Sequence, residues 1–99
     1  MELQMAFARA LRRQRKAKGL SQEAFSNVSS RTYLSELERG LKNPTLDKIE
    51  KLATTMGVHP LTLLVECFSL KDDLDVEDVF ARITKELANM KNCSRASLP

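Results

Sequence analysis

Tryptophan is absent, histidine occurs once and cysteine twice in these 99 residues, and each scarcity removes a class of chemistry. His59 with Cys67 and Cys93 cannot supply a four-ligand zinc site at the usual spacings. No nucleophile stands beside a His base with a third orienting group, and the three scattered glycines form no phosphate-cradling loop. No catalysis, metal or cofactor is expected. The longest apolar run, Leu61 to Val65, is interrupted by Thr62 and falls far short of the ~20 residues that span a bilayer. The N-terminus is basic but lacks the apolar stretch and cleavage site of a signal peptide. A cytoplasmic chain with reduced thiols, Cys67 in the core and no membrane partner is the expectation. Tyr33 and four Phe are the only aromatics, so Leu, Ala, Val, Ile and Met must fill most of the interior, which favours helices over a β-sandwich.

What is present is globular composition, 42% hydrophobic and 29% charged, in a length that suits one domain with an appended element. The net charge of +3 conceals a division. Residues 1–20 carry Arg9, Arg12, Arg13, Arg15, Lys16 and Lys18 against Glu2 alone, while Asp72, Asp73, Asp75, Glu77 and Asp78 crowd a later segment. A basic first helix attracts an anionic partner; the acidic cluster repels one.

Periodicity reads as helices throughout, an all-α fold. Leu3, Phe7, Ala10 and Leu11 form the apolar side of a first helix that Gly19 ends. Ser21 is placed to cap a short second helix anchored by Phe25, and Ser29 or Ser30 a third that turns Leu34, Leu37 and Leu41 inward before Gly40. Thr45 caps a fourth helix, with Leu46, Ile49, Leu52, Ala53 and Met56 inward and Gly57 at its end. Pro60 opens a fifth whose stripe is Leu61, Leu64, Val65 and Phe68. Asp75, between the staple residues Leu74 and Val79, starts a last amphipathic helix with Val76, Val79, Phe80, Ile83, Leu87 and Met90 along one side, expected to fray beyond Lys91. The division is a domain over 1–70 and a C-terminal helix with a frayed tail over 71–99.

Four segments in order, Lys18-Gly19-Leu20-Ser21-Gln22-Glu23, Ser30 through Gly40, Asn43-Pro44-Thr45-Leu46 and Met56-Gly57-Val58-His59-Pro60, resemble the phage repressor and Cro type of helix-turn-helix domain, the Xre family. The resemblance covers Leu11 to Val65. It implies a five-helix repressor-like DNA-binding domain, to which the C-terminal amphipathic helix is appended. Two departures stand out. Gln22 to Ser30 is slightly shorter than the family pattern and lacks the usual turn glycine, so either the second helix loses part of a turn or Asn27-Val28-Ser29 tightens; Ser26 takes the place of the small residue expected there. Gln14 stands where relatives carry an apolar residue, at the edge of the core.

With Leu34, Leu37 and Leu41 inward, a period of 3.6 residues projects Thr32, Ser35, Glu36 and Arg39 outward. Arg31, beside that face, can donate twice to guanine, Thr32 can touch a thymine methyl and Glu36 can accept from cytosine; with Ser35 these are the candidate base readers. The resemblance implies that Gln22 contacts a DNA phosphate from a helix start and that Arg39, Lys42 and Asn43 grip the backbone; Ser30 and Tyr33 join that group. It also implies an ion pair between Arg15 and Glu38, which border the core stripe four residues after Leu11 and Leu34. The last helix, through Val76, Val79, Phe80, Ile83 and Leu87, is expected to hold a homodimer. A palindromic operator and repression by occupancy follow, the rivals being an antitoxin that also binds a toxin and a protein-interaction module without DNA binding.

Overall fold

The computed structural model describes the backbone of residues 1–97 and the side chains of residues 1–91. Five α-helices run in order as α1 (Leu3–Ala17), α2 (Arg31–Glu38), α3 (Leu46–Met56), α4 (Pro60–Asp72) and α5 (Val76–Ser97), with a single 3-10 turn, Gln22–Phe25, between α1 and α2. No strand occurs among the described residues, and no helix there is long and apolar enough to cross a membrane.

Helix α1 buries Ala6, Phe7, Ala10 and Leu11 chiefly against α4 and then α2. Phe25, Leu34, Leu37, Ile49, Leu52, Met56, Leu63 and Cys67 complete one continuous core. The starts of the helices follow local chemistry. Ser30 Oγ accepts from the Tyr33 amide at 3.0 Å, Thr45 Oγ1 from the Lys48 amide at 3.1 Å, and His59 Nδ1 from the Leu61 amide at 3.0 Å ahead of Pro60. Gly40 lies at φ 75° just beyond α2, where any larger residue would also run into the Met5 thioether. Helix α4 ends on Asp73, the one non-glycine residue at positive φ among those described, a conformation a short polar side chain tolerates.

Several expectations are corrected. The second helix is only a 3-10 turn, and Ser21 makes no side-chain cap there; the shortened segment is resolved by giving up α-helical turns. Leu41 lies past the end of α2 and is exposed, and Leu46, the first residue of α3, is 79% exposed, because both fall where the chain enters or leaves a helix rather than on its inner face. Leu3 is likewise exposed. In α4 the buried residues are Leu63, Val65 and Cys67, whereas Leu61 and Phe68 are exposed; this helix is apolar nearly all round, so spacing alone does not single out the side that faces the core. Leu61, Leu64 and Phe68 instead border a groove of about 350 Å³ opposite Val79 and Ile83 of α5. Of the α5 side chains described, Val79 alone is half-buried, and the helix runs on to Ser97 rather than ending near Lys91.

Candidate nucleic-acid interface

The frame of the site is an ion pair. Arg15 comes from the last turn of α1 and Glu38 from the last residue of α2, and both side chains are almost wholly withdrawn from solvent, 10% and 5% exposed. Arg15 Nε donates to Glu38 Oε2 at 2.6 Å and Nη2 to Oε1 at 2.9 Å, a two-pronged match of guanidinium to carboxylate. Nη1 donates to the Leu20 carbonyl at 2.8 Å, which fixes the chain as it leaves α1. The hydrogen bond to Glu38 raises the Arg15 pKa further, so the cation persists despite burial. Gln22 closes the cluster: its Nε2 donates to Glu38 Oε1 at 3.2 Å. The residue expected to meet a phosphate thus also belongs to the clamp, half-buried at the start of the 3-10 turn.

Helix α2 rests on that frame with Leu34 and Leu37 fully buried. Its other side presents Arg31 and Thr32 exposed and Ser35 and Glu36 half-exposed, with Arg39 exposed just past the last turn. Thr32, Ser35, Glu36 and Arg39 follow the i, i+3, i+4, i+7 spacing of one helical face. Arg31 lies 3.5 Å from Glu23 in a solvent-screened pair, both side chains about three-quarters exposed, and so is held only weakly. Arg39, Lys42 and Asn43 share the exposed stretch between α2 and α3. The expected base-reading and backbone-gripping residues are therefore brought to neighbouring positions on one accessible surface, with Gln22 and Tyr33 partly drawn inward.

Tyr33 packs against the core and lies under Lys48, whose Nζ is 5.3 Å from the ring centroid. The same Nζ donates to the Val28 carbonyl at 2.6 Å. A lysine from α3 thereby stitches the glycine-free connection to the body, and Val28 and Ser29 complete it by donating their amides to the Phe25 carbonyl, each at 3.0 Å. Ser29, Ser30, Tyr33, Thr45 and Lys48 line a shallow depression between the starts of α2 and α3. Both helix starts and the ammonium make that depression electropositive. Lys48 and Thr45 were not among the site residues expected from sequence. Thr45 was legible as a cap, but Lys48 reaches this place only through the packing of α3.

Around the back, Gln14 Nε2 donates to Glu66 at 3.1 Å and Arg13 lies 3.5 Å from the same carboxylate. The polar departure at position 14 is thus an anchor of α1 to α4. Arg9, Arg12, Arg13 and Lys16 border a groove with Met1, Met5 and Ala8 that reaches Glu38, and they give this side of α1 its positive field.

A basic first helix, a turn and a second helix offering exposed polar side chains define a DNA-binding regulator of the helix-turn-helix class. The helix-turn-helix family pattern matches residues 11–63, more than half of the sequence, and the chain belongs to that family in its Xre form. It is 42% identical over 65 residues to control protein C.BamHI of Bacillus amyloliquefaciens, across 63% of this chain and 80% of that protein. Among solved structures it is similar to the restriction-modification controller protein C.AhdI of Aeromonas hydrophila, with 40% identity, a TM-score of 0.57 and coverage of 61% of this chain and 94% of that one. A second is the clp gene regulator ClgR of Corynebacterium glutamicum, with 25% identity, a TM-score of 0.65 and coverage of 95% of both chains.

Proposed function

We propose that this regulator binds a palindromic double-stranded operator as a homodimer and represses transcription by occupying it. Arg31, Thr32, Ser35 and Glu36 read base edges, and Gln22, Ser30, Tyr33, Arg39, Lys42 and Asn43 hold the phosphates. The observation that carries this reading is the two-sided character of α2. Its inner leucines and Glu38 are locked into the body, while Arg31 and Thr32 are exposed and, among the described residues, have no partner tighter than the 3.5 Å contact of Arg31 with Glu23. A surface so rigidly backed can present side chains to a groove without a further cost for ordering the backbone that carries them. The dimer rests on α5, where Val76, Phe80, Ile83 and Leu87 are exposed in one run beside half-buried Val79, and a twofold protein matches a twofold site.

Selection of bound duplexes from a random library tests this directly. Inverted half-sites with centres about 10 base pairs apart are the expected result; recovery of no enriched sequence, or of a single unrepeated half-site, would overturn it. The resemblance to C.BamHI and C.AhdI favours one kind of target, the control region of a restriction-modification operon. The selected sequence is then expected upstream of the gene for this chain and of a neighbouring endonuclease or methyltransferase gene. Occurrence only at unrelated genes would set that target aside and leave the DNA-binding reading intact.

A further inference from the structure

The α5 helix carries more information than an apolar stripe. Val76, Phe80, Ile83, Leu87 and Met90 are separated by alternating steps of four and three residues, and all five are exposed. That is the seam of a heptad repeat, with Phe80 and Leu87 at one core position (a) and Val76, Ile83 and Met90 at the other (d). The positions away from the seam are polar or small: Asp78, Ala81, Arg82, Lys85, Ala88 and Asn89. The flanking positions hold Val79 and Glu86 on one side and Glu77, Thr84 and Lys91 on the other.

We propose that two copies of this chain join through their α5 helices as a parallel, in-register pair, with Glu86 of each copy facing Lys91 of the other and each copy's α4 flanking the seam. This rests on the homodimer reading above and specifies its geometry. Three observations carry it. In a parallel pair the residue before an a position faces the residue five later on the other helix, which brings opposite charges together at Glu86 and Lys91. Parallel helices also set the two DNA-binding bodies side by side at one end; chains whose shorter dimensions are 31 and 23 Å then hold their recognition helices on the scale of the ~34 Å DNA turn. Finally, Leu87 at a with Ile83 at d is a combination that shifts seams away from two helices towards three or four, and the structure supplies the additional walls. Leu61, Leu64 and Phe68 of α4 border the open groove that shares Ile83 with the seam, so two α5 and two α4 helices enclose a common interior.

Cross-linking and charge reversal test the arrangement on the full chain. In a Cys93→Ser background, Met90→Cys and Val76→Cys are each expected to give a covalent dimer on mild oxidation, since two d positions two heptads apart can both oppose their own equivalents only in the parallel register. The remaining thiol, Cys67, is buried in the core and does not compete. Glu86→Lys and Lys91→Glu should each weaken dimerisation about five- to tenfold at low salt by turning two attractive pairs into repulsive ones, and the double swap should restore it to within about twofold. Glu86 also lies 3.3 Å from Arg82 of its own chain; Lys91→Glu cannot repair the loss of that contact, so restoration by the swap reports the pairing between chains. A dimer that neither cross-links at position 90 nor responds to the swap would overturn the parallel register while leaving the homodimer standing. A monomer at all concentrations would overturn both.

Discussion

Glu38→Ala is the most demanding test of the structure. It removes the carboxylate that receives Arg15 at 2.6 and 2.9 Å and leaves a guanidinium only 10% exposed with the Leu20 carbonyl as its remaining partner. An uncompensated charge in such a place costs about 3 to 5 kcal/mol. A domain of this size commonly has a total stability of ~5 to 15 kcal/mol and loses ~4 to 8 °C of Tm per kcal/mol, so a fall of at least about 12 °C is expected. Arg15→Ala should be comparably damaging, because Glu38 keeps only the Gln22 amide. Removing both charges leaves no orphan, and the double variant should lose less than the sum of the singles by up to ~3 kcal/mol. Urea denaturation followed by circular dichroism gives all four corners of the cycle. Losses that add to within ~0.5 kcal/mol would refute the reasoning, since the pair would then be two independent residues.

Arg31→Ala should leave the fold intact, cost about 1 to 3 kcal/mol on the selected operator and relax preference at one base position; unchanged affinity and unchanged preference would remove Arg31 from the readers. Lys42→Ala should weaken binding to all sequences alike and lower the salt slope by about one unit, so a loss confined to one operator would contradict its role. Replacing Phe80 and Ile83 together with Glu should yield a folded monomer with weakened operator binding, because neither side chain belongs to the central core; sedimentation and thermal melting separate that outcome from unfolding. Burial pushes the Cys67 thiol up to about 11 from its ordinary 9.0. The folded state therefore favours the neutral thiol, and its contribution is whole below pH 9.0 and lost as pH rises towards about 11. Stability should fall more steeply across that window in the natural protein than in Cys67→Ala, and parallel curves would sink the assignment.

Most of the frame was legible because its determinants are local. Caps at Ser30 and Thr45, the stops at Gly19, Gly40 and Gly57, and the inward leucines of α2 each depend on a few neighbouring residues, and the Arg15–Glu38 pair on the family pattern. What the sequence left open depends on distant parts. The side of α4 that faces the core is settled by α1 and α3, since Leu61 and Leu63 are equally apolar. The depth of Gln22 is set by a carboxylate from the next helix, and the role of Lys48 by where α3 lies against the turn. The His59 cap is not legible for a different reason: imidazole is not among the side chains that usually cap a helix, and the local signal for the start of α4 is the fixed φ of Pro60.

The two-sidedness of α2 has a consequence for how such a regulator can change. Of its eight residues, Leu34, Leu37 and Glu38 are committed to the body, whereas Arg31 and Thr32 are exposed, Arg31 meeting only the screened carboxylate of Glu23 among the described residues. If Arg31 and Thr32 read base edges as proposed, substitutions in them alter the message without loosening the page it is printed on. On the proposed reading, lineages or an engineer could retarget the protein one side chain at a time at little cost to the fold, since substitutions of exposed residues usually change stability by less than about 0.5 kcal/mol.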